Sequence, residues 1–238
     1  MSKKPFLFKQ FKVEQDQCAM KIGTDAVLLG AWAPVAQQPF SILDIGAGTG
    51  VLSLMLAQRS QAEVIDAFEI DDKAYEQCVA NFEQSDWGDR LFCYHASLEE
   101  FVDEIDDQYD LIVCNPPFYV EDYKTNDDAR DLARFQDALP FEHLVEGASK
   151  LLTDDGIFAV IIPHKEEEHF IKLASAVKLF PNRILHIKGH HGSEIKRSIL
   201  EFSFLESETQ TKLLTIENQR HDYTEDYINL TKDFYLKM

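Results

Sequence analysis

The stretch Ser41-Ile42-Leu43-Asp44-Ile45-Gly46-Ala47-Gly48-Thr49-Gly50 decides the fold. Its first half is apolar apart from one acid and reads as a buried strand. Its second half alternates three glycines, which let the backbone turn sharply and come close to a ligand. Val51 to Arg59 then carries an apolar helix pattern. Strand, glycine turn and helix in this order open a βαβ unit, whose ligands bind outside the carboxyl ends of the strands.

The alternation continues from there. Residues 64–70 predict a strand, and Asp71 or Asp72 caps a helix with Tyr75, Cys78, Val79 and Phe82 on its buried face. Residues 91–94 and 110–114 predict two more strands, the second running straight into Asn115-Pro116-Pro117-Phe118. Phe141, Leu144, Val145, Ala148 and Leu152 mark a helix, residues 157–162 a strand, and Phe170, Leu173, Ala174 and Val177 another helix. Residues 184–187 and 198–204 follow as strands with no helix between them, so the last is expected to be antiparallel. Apolar strands alternating with amphipathic helices predict an α/β fold, a mostly parallel sheet covered on both faces. The seven carboxylates of residues 99–110 are read as a solvated connection.

The chain's 238 residues are enough for one large α/β domain without staples. Its 42 acids against 23 Lys and Arg give a net charge of −19, the wrong sign for a generic nucleic-acid binder. Basic residues concentrate in two windows. Residues 1–22 hold Lys3, Lys4, Lys9, Lys12 and Lys21 against Glu14 and Asp16. Residues 178–197 hold Lys178, Arg183, Lys188, Lys196 and Arg197 against Glu194. Cys18, Cys78, Cys93 and Cys114 form no C-x-x-C pair, which predicts free thiols, a reducing compartment and no zinc site. His190-His191 between two glycines offers metal-ligating nitrogens, but reads rather as a flexible loop facing solvent or RNA. Lys9, Gln10 and Lys12 interrupt the first apolar stretch too early for a secretion signal, and no window is long enough to span a membrane. A cytoplasmic protein is expected.

Two details narrow the ligand of the glycine turn. A dinucleotide fingerprint needs glycine at position 51, where this chain has Val51. Asp44 at the mouth of the turn repels a pyrophosphate and attracts an ammonium or sulfonium group. Glu69, 19 residues past Gly50, is placed to accept from ribose hydroxyls. S-adenosylmethionine carries both cations and the ribose. The second motif, Asn115-Pro116-Pro117-Phe118, suits methylation of a planar amino nitrogen. Such a nitrogen is a poor nucleophile because its lone pair is delocalised into the ring. The Asn115 side-chain oxygen and the Pro116 carbonyl can accept its two N–H protons and stabilise the positive charge that develops. The prolines fix the backbone, and Phe118 offers a face for the target ring.

Together these motifs resemble the class I S-adenosylmethionine-dependent N-methyltransferases. The opening from Phe8 to Phe11 and from Lys21 to Trp32, with the ending from Tyr223 to Tyr227 and from Leu230 to Leu236, resembles the bacterial tRNA1(Val) (adenine(37)-N6)-methyltransferases. The resemblance implies a Rossmann-like, seven-stranded sheet with one antiparallel strand. It divides the chain into residues 1–40, a segment closing over cofactor or substrate, and residues 41–238, the methyltransferase domain. It implies transfer of a methyl group to N6 of adenine 37, beside the anticodon, with the two basic windows holding tRNA.

Asn115, Pro116, Pro117 and Phe118 are then the catalytic motif. Asp44, Gly46, Gly48, Gly50 and Glu69 hold the cofactor, and Ser97 stands where the family often has an acid near the adenine ring. Lys21, Thr24 and Asp25 are candidates to close over the cofactor. No metal is required. Alternative substrates are a protein glutamine amide, whose enzymes carry a helical module that the roughly forty residues before the glycine turn do not provide, or ribosomal RNA. A non-catalytic cofactor-binding scaffold would show decay of the glycine turn or Asn115, and both are intact.

Overall fold

The computed structural model describes residues 4–117 and 139–237. Strands β1 (Phe6–Leu7) and β2 (Lys12–Val13) form a small antiparallel hairpin, followed by helix α1 (Thr24–Trp32). The alternation then runs β3 (Ser41–Ile45), α2 (Val51–Arg59), β4 (Val64–Glu69), α3 (Asp72–Glu83), β5 (Leu91–His95), α4 (Leu98–Glu104) and β6 (Tyr109–Cys114). Beyond it come α5 (Phe141–Leu151), β7 (Leu152–Pro163), α6 (Glu167–Ala176), β8 (Phe180–His190) and β9 (Ile195–Ser203). The chain ends with β10 (Gln210–Gln219), β11 (Asp222–Tyr223) and α7 (Glu225–Thr231).

Among the described residues nine strands form one sheet in the order β11-β10-β8-β9-β7-β6-β3-β4-β5. The expected seven strands are β3 to β9. As expected, the late strand β9 is antiparallel, inserted between β7 and β8. The sheet is wider than expected: β10 adds in parallel to β8, and β11 turns back on β10. Gln210–Gln219 is mostly exposed and has a buried residue only at Leu214, so it lacks the apolar run that marks an inner strand.

Helices α1, α2 and α3 pack with the β1–β2 hairpin and α7 on one face of the sheet, and α4, α5 and α6 on the other. Residues 1–40 therefore share their core with the sheet: Phe8, Phe11, Val13 and Leu29 lie in the same apolar cluster as Met55 and Ile65. Arg59, at the end of α2, donates to the carbonyls of Gly30 and Ala33 at the end of α1 (2.7 and 2.9 Å). The two helices thus run side by side, and the start of α1 lies at the same sheet edge as the glycine turn.

Helix α3 departs from its expected register. Asp71 caps it as expected, accepting from Ala74 N (2.8 Å). Its buried side chains are Ala74, Gln77, Cys78, Asn81 and Phe82, while Tyr75 and Val79 are only half-buried. Two amides have displaced apolar residues from the inner face because the N-terminal segment docks there. The acidic connection is less solvated than expected at its end. Asp110 accepts from the backbone N–H groups of Phe40 and Ser41 (2.8 and 3.2 Å), tying the entry of β3 to β6. All four cysteines are free thiols, as expected. No described helix is long and apolar enough to cross a membrane.

Candidate active site

Strand register brings the two motifs together. Ile45, the last residue of β3, faces Phe68 on β4 and Cys114 on β6. The residues that follow on the three strands are the glycine turn, Glu69 and Asn115. They stand side by side at one edge, with Glu69 and Asn115 two strand spacings apart, about 10 Å. His95 of β5 faces Glu69, which puts Ser97 one strand further along the same edge.

The glycine turn is built as its composition requires. Gly46, Gly48 and Gly50 have φ of 72°, 55° and 77°, the left-handed region that other residues enter at a cost. A side chain at Gly46 or Gly48 would project into open space, whereas one at Gly50 would collide with the Phe82 ring. Glu69 braces the turn: one carboxylate oxygen accepts from Gly48 N (2.8 Å), the other from Ile70 N and Asp71 N (both 2.9 Å). A carboxylate has about four lone-pair directions, so it can still accept from hydroxyls.

Asp44 is fully buried beneath the turn. One oxygen accepts from Ser53 N and Oγ (3.2 and 2.8 Å), and the other, Oδ1, has no partner among the described residues. Burial pushes the carboxyl up to about 7, against the lowering effect of the Ser53 bonds. A buried acceptor with nothing to accept fits a site for a cationic group, and the residues present fit S-adenosylmethionine.

Three residues that hold this site escaped the motif reading. Asn81 donates to the carbonyls of Thr49, in the turn, and Glu14, while its own oxygen accepts from Glu14 N (all 2.9 Å). Gln77 accepts from Gln17 N and Cys18 N (3.0 and 3.3 Å) and donates to Asp16 (2.8 Å). Ser53 is the third. The signal was present in the sequence as two amides four residues apart on the inner face of an amphipathic helix. Their effect is to lay residues 14–18 along α3 beside the turn. Burial, then the neighbouring Glu69, Asp71 and Asp16 carboxylates, push the Cys18 thiol up to about 12, so it stays protonated.

The remaining candidates are placed as follows. Asn115 and Pro117 are half-buried and Pro116 is buried, while Phe118 lies outside the described residues. The Ser97 hydroxyl takes part in a capping box, accepting from Glu100 N (3.2 Å) and donating to Glu100 Oε2 (2.9 Å). Lys21 and Thr24 are exposed. Thr24 opens α1 and lines a groove of about 700 Å³ with Phe6, Tyr223, Tyr227 and Tyr235. Asp25 pairs with Arg197 (2.7 Å).

The second basic window is not one patch. Arg183 stacks over Trp32 (4.1 Å) and pairs with Glu201 (3.3 Å) at the amino end of β8, and Lys178 precedes that strand. Lys188, Lys196 and Arg197 lie at the other end, the edge that carries Asn115, because Ile187 and Pro163 both face Arg197.

Comparisons with known proteins agree with this geometry. The model of the methyltransferase small domain matches residues 22–180. A protein of Flavobacterium johnsoniae named tRNA1(Val) (adenine(37)-N6)-methyltransferase is 65% identical over 98% of this chain and all of its own length. Proteins of the same name from Bacteroides fragilis and Yersinia enterocolitica are 44% and 40% identical, over 100% and 97% of this chain and 100% and 92% of their own lengths. Among solved structures, a "predicted O-methyltransferase" from Agrobacterium tumefaciens superposes with a TM-score of 0.68 at 20% identity, covering 88% of this chain and 96% of that one. It shares the fold.

Proposed function

We infer the reaction from one premise: this chain belongs to the tRNA1(Val) (adenine(37)-N6)-methyltransferase family, built on the methyltransferase small domain. It is an S-adenosylmethionine-dependent methyltransferase, and we propose that it methylates N6 of adenine 37 in tRNA1(Val). The observation that carries the proposal is the register that sets Asn115 and Glu69 on either side of the glycine turn.

S-adenosylmethionine, when bound, supplies an electrophilic methyl group on a sulfonium. Gly46 and Gly48 let the backbone approach it, Asp44 faces its cationic end, and Glu69 accepts from the ribose. Ser97, one strand beyond Glu69, would stand near the cofactor's adenine, and residues 1–40, with Lys21 and Thr24, would close the site. The target adenine leaves the loop stack to reach Asn115. The Asn115 oxygen and Pro116 carbonyl accept hydrogen bonds from its two amino N–H groups, which frees the nitrogen lone pair for the methyl and stabilises the charge that forms, and the methylated nitrogen then loses one proton to solvent. Pro116 and Pro117 hold those acceptors rigidly, and fixed alignment supplies much of the rate.

The test is transfer of labelled methyl to unmodified tRNA, ribosomal RNA and a protein fraction. Label is expected in tRNA as N6-methyladenine, and label confined to protein or ribosomal RNA overturns the substrate. Two further results are expected. Cofactor affinity increases as pH rises through about 7, because a cation favours the Asp44 carboxylate and binding releases its proton. Calorimetry in buffers of different ionisation enthalpy measures that proton, and Asp44→Asn removes it. The Lys188 and Lys196 edge holds tRNA phosphates, so affinity falls steeply with salt and Lys196→Ala reduces the slope by about one. A salt-independent affinity contradicts this.

A further inference from the structure

A second cluster of chemistry-bearing side chains stands one strand beyond Asn115, on the α5–α6 face. His164 follows β7 directly, Glu167 opens α6 three residues later, His186 projects from β8 and Ser198 from β9. The four converge on one carboxylate. Glu167 Oε2 lies 3.2 Å from His164 Nδ1 and 2.9 Å from His186 Nε2, and it also accepts from Ser198 Oγ. His164 Nδ1 is in turn 2.9 Å from Ser198 Oγ. One ligand atom from each of His164, Glu167 and His186 falls within 4.8 Å of the others.

We propose that His164, Glu167 and His186 form a binding site for a divalent transition metal of the zinc class. The donor set, two imidazoles and one carboxylate, is one that zinc takes readily, with a fourth position left for water or the Ser198 hydroxyl. A tetrahedral zinc with bonds of about 2.0–2.1 Å holds its ligand atoms about 3.3 Å apart. Two of the three separations here already lie near that value, and only the two imidazoles need to adjust. The His164 and His186 side chains are 35% and 20% exposed, which leaves room for that adjustment and gives the ion a path from solvent. The net charge of −19 raises the local concentration of cations.

Without metal the same groups satisfy one another through hydrogen bonds, so the fold does not depend on the ion. Its effect when bound is mechanical. It ties the turn after β7 and the start of α6 to β8, at the edge where Lys188 and Lys196 lie. Val160, which faces Cys114, is two residues before Ile162, which faces Ser198, so the fastened strand is the one that borders the Asn115 motif. The ion takes no part in methyl transfer.

The experiment is zinc titration of chelator-treated, folded protein by calorimetry, with cobalt as a spectroscopic probe of the ligands. One ion per chain is expected, with d–d bands of a low-coordinate nitrogen–oxygen site. Glu167→Gln and His186→Ala each weaken binding by about 100-fold or more, and their circular dichroism shows that the fold is retained. A double variant of His190 and His191 to alanine binds as the native protein does. Absence of saturable one-to-one binding overturns the proposal, and so does binding that survives His186→Ala or is lost with the adjacent histidine pair. None of these outcomes depends on the substrate, so the proposal stands or falls apart from the tRNA assignment.

Discussion

Asn115→Ala lowers the rate of methyl transfer by about 1000-fold, the loss typical of removing one preorganised group that stabilises transition-state charge. Cofactor affinity is expected to stay within about twofold, because that residue lies across the glycine turn from Glu69 and is proposed to act on the methyl acceptor. The contrast rests on register: Ile45 faces Phe68 on one side and Cys114 on the other, so cofactor and acceptor groups arrive on different strands. Asn115→Asp keeps an acceptor in place and retains more activity than alanine. Single-turnover transfer, with cofactor binding measured separately, checks both halves. Equal losses in binding and rate would show that Asn115 holds the cofactor instead.

Gly50→Ala destabilises the protein by about 3 kcal/mol, which combines a left-handed alanine with an overpacked contact. The added Cβ would lie 2.5 Å from a Phe82 ring carbon and 2.9 Å from Cys78 Sγ, both buried and unable to retreat. Gly48→Ala has the same backbone problem, at φ 55°, but meets nothing within 4 Å. It costs about 1 kcal/mol of stability and instead places a methyl group on the open face proposed to take the cofactor. Urea unfolding separates the two variants: a large fall in midpoint for Gly50→Ala, a small one with lost cofactor binding for Gly48→Ala. Equal midpoints would mean that α3 yields to the new methyl group.

The parts legible in the sequence were those governed by local pattern. Strands β3, β4, β6 and β7 are buried on both faces and read as apolar runs, and the glycine turn and Asn115-Pro116-Pro117 fall at their ends. Helix α1 was not legible as a helix, because residues 26–31 are all buried and leave no polar face to set a period. Helix α3 read one position out of register, because Gln77 and Asn81 are buried by bonds to residues distant in sequence. The second basic window looked continuous, yet a strand runs through it and carries Lys178 and Lys188 to opposite ends of the sheet. The His164–Glu167–His186 cluster joins a turn, a helix and a strand, and no spacing rule links all three.

The fastening of the N-terminal hairpin has a consequence in time. Lys9 donates from its backbone to Phe234 O (2.8 Å) and from its side chain to Lys232 O, across 223 residues of chain, and Phe8 bridges to Tyr235. A ribosome adding about 5–20 residues per second needs roughly 10–45 s to cover that interval. Gln77 and Asn81, which hold residues 14–18, are made well before the hairpin's other anchor at residues 232–235. The nascent chain therefore passes through a stage with its sheet begun and its hairpin tied at one end only. The hairpin is held at both ends only once residues 232–235 have been made and folded against it.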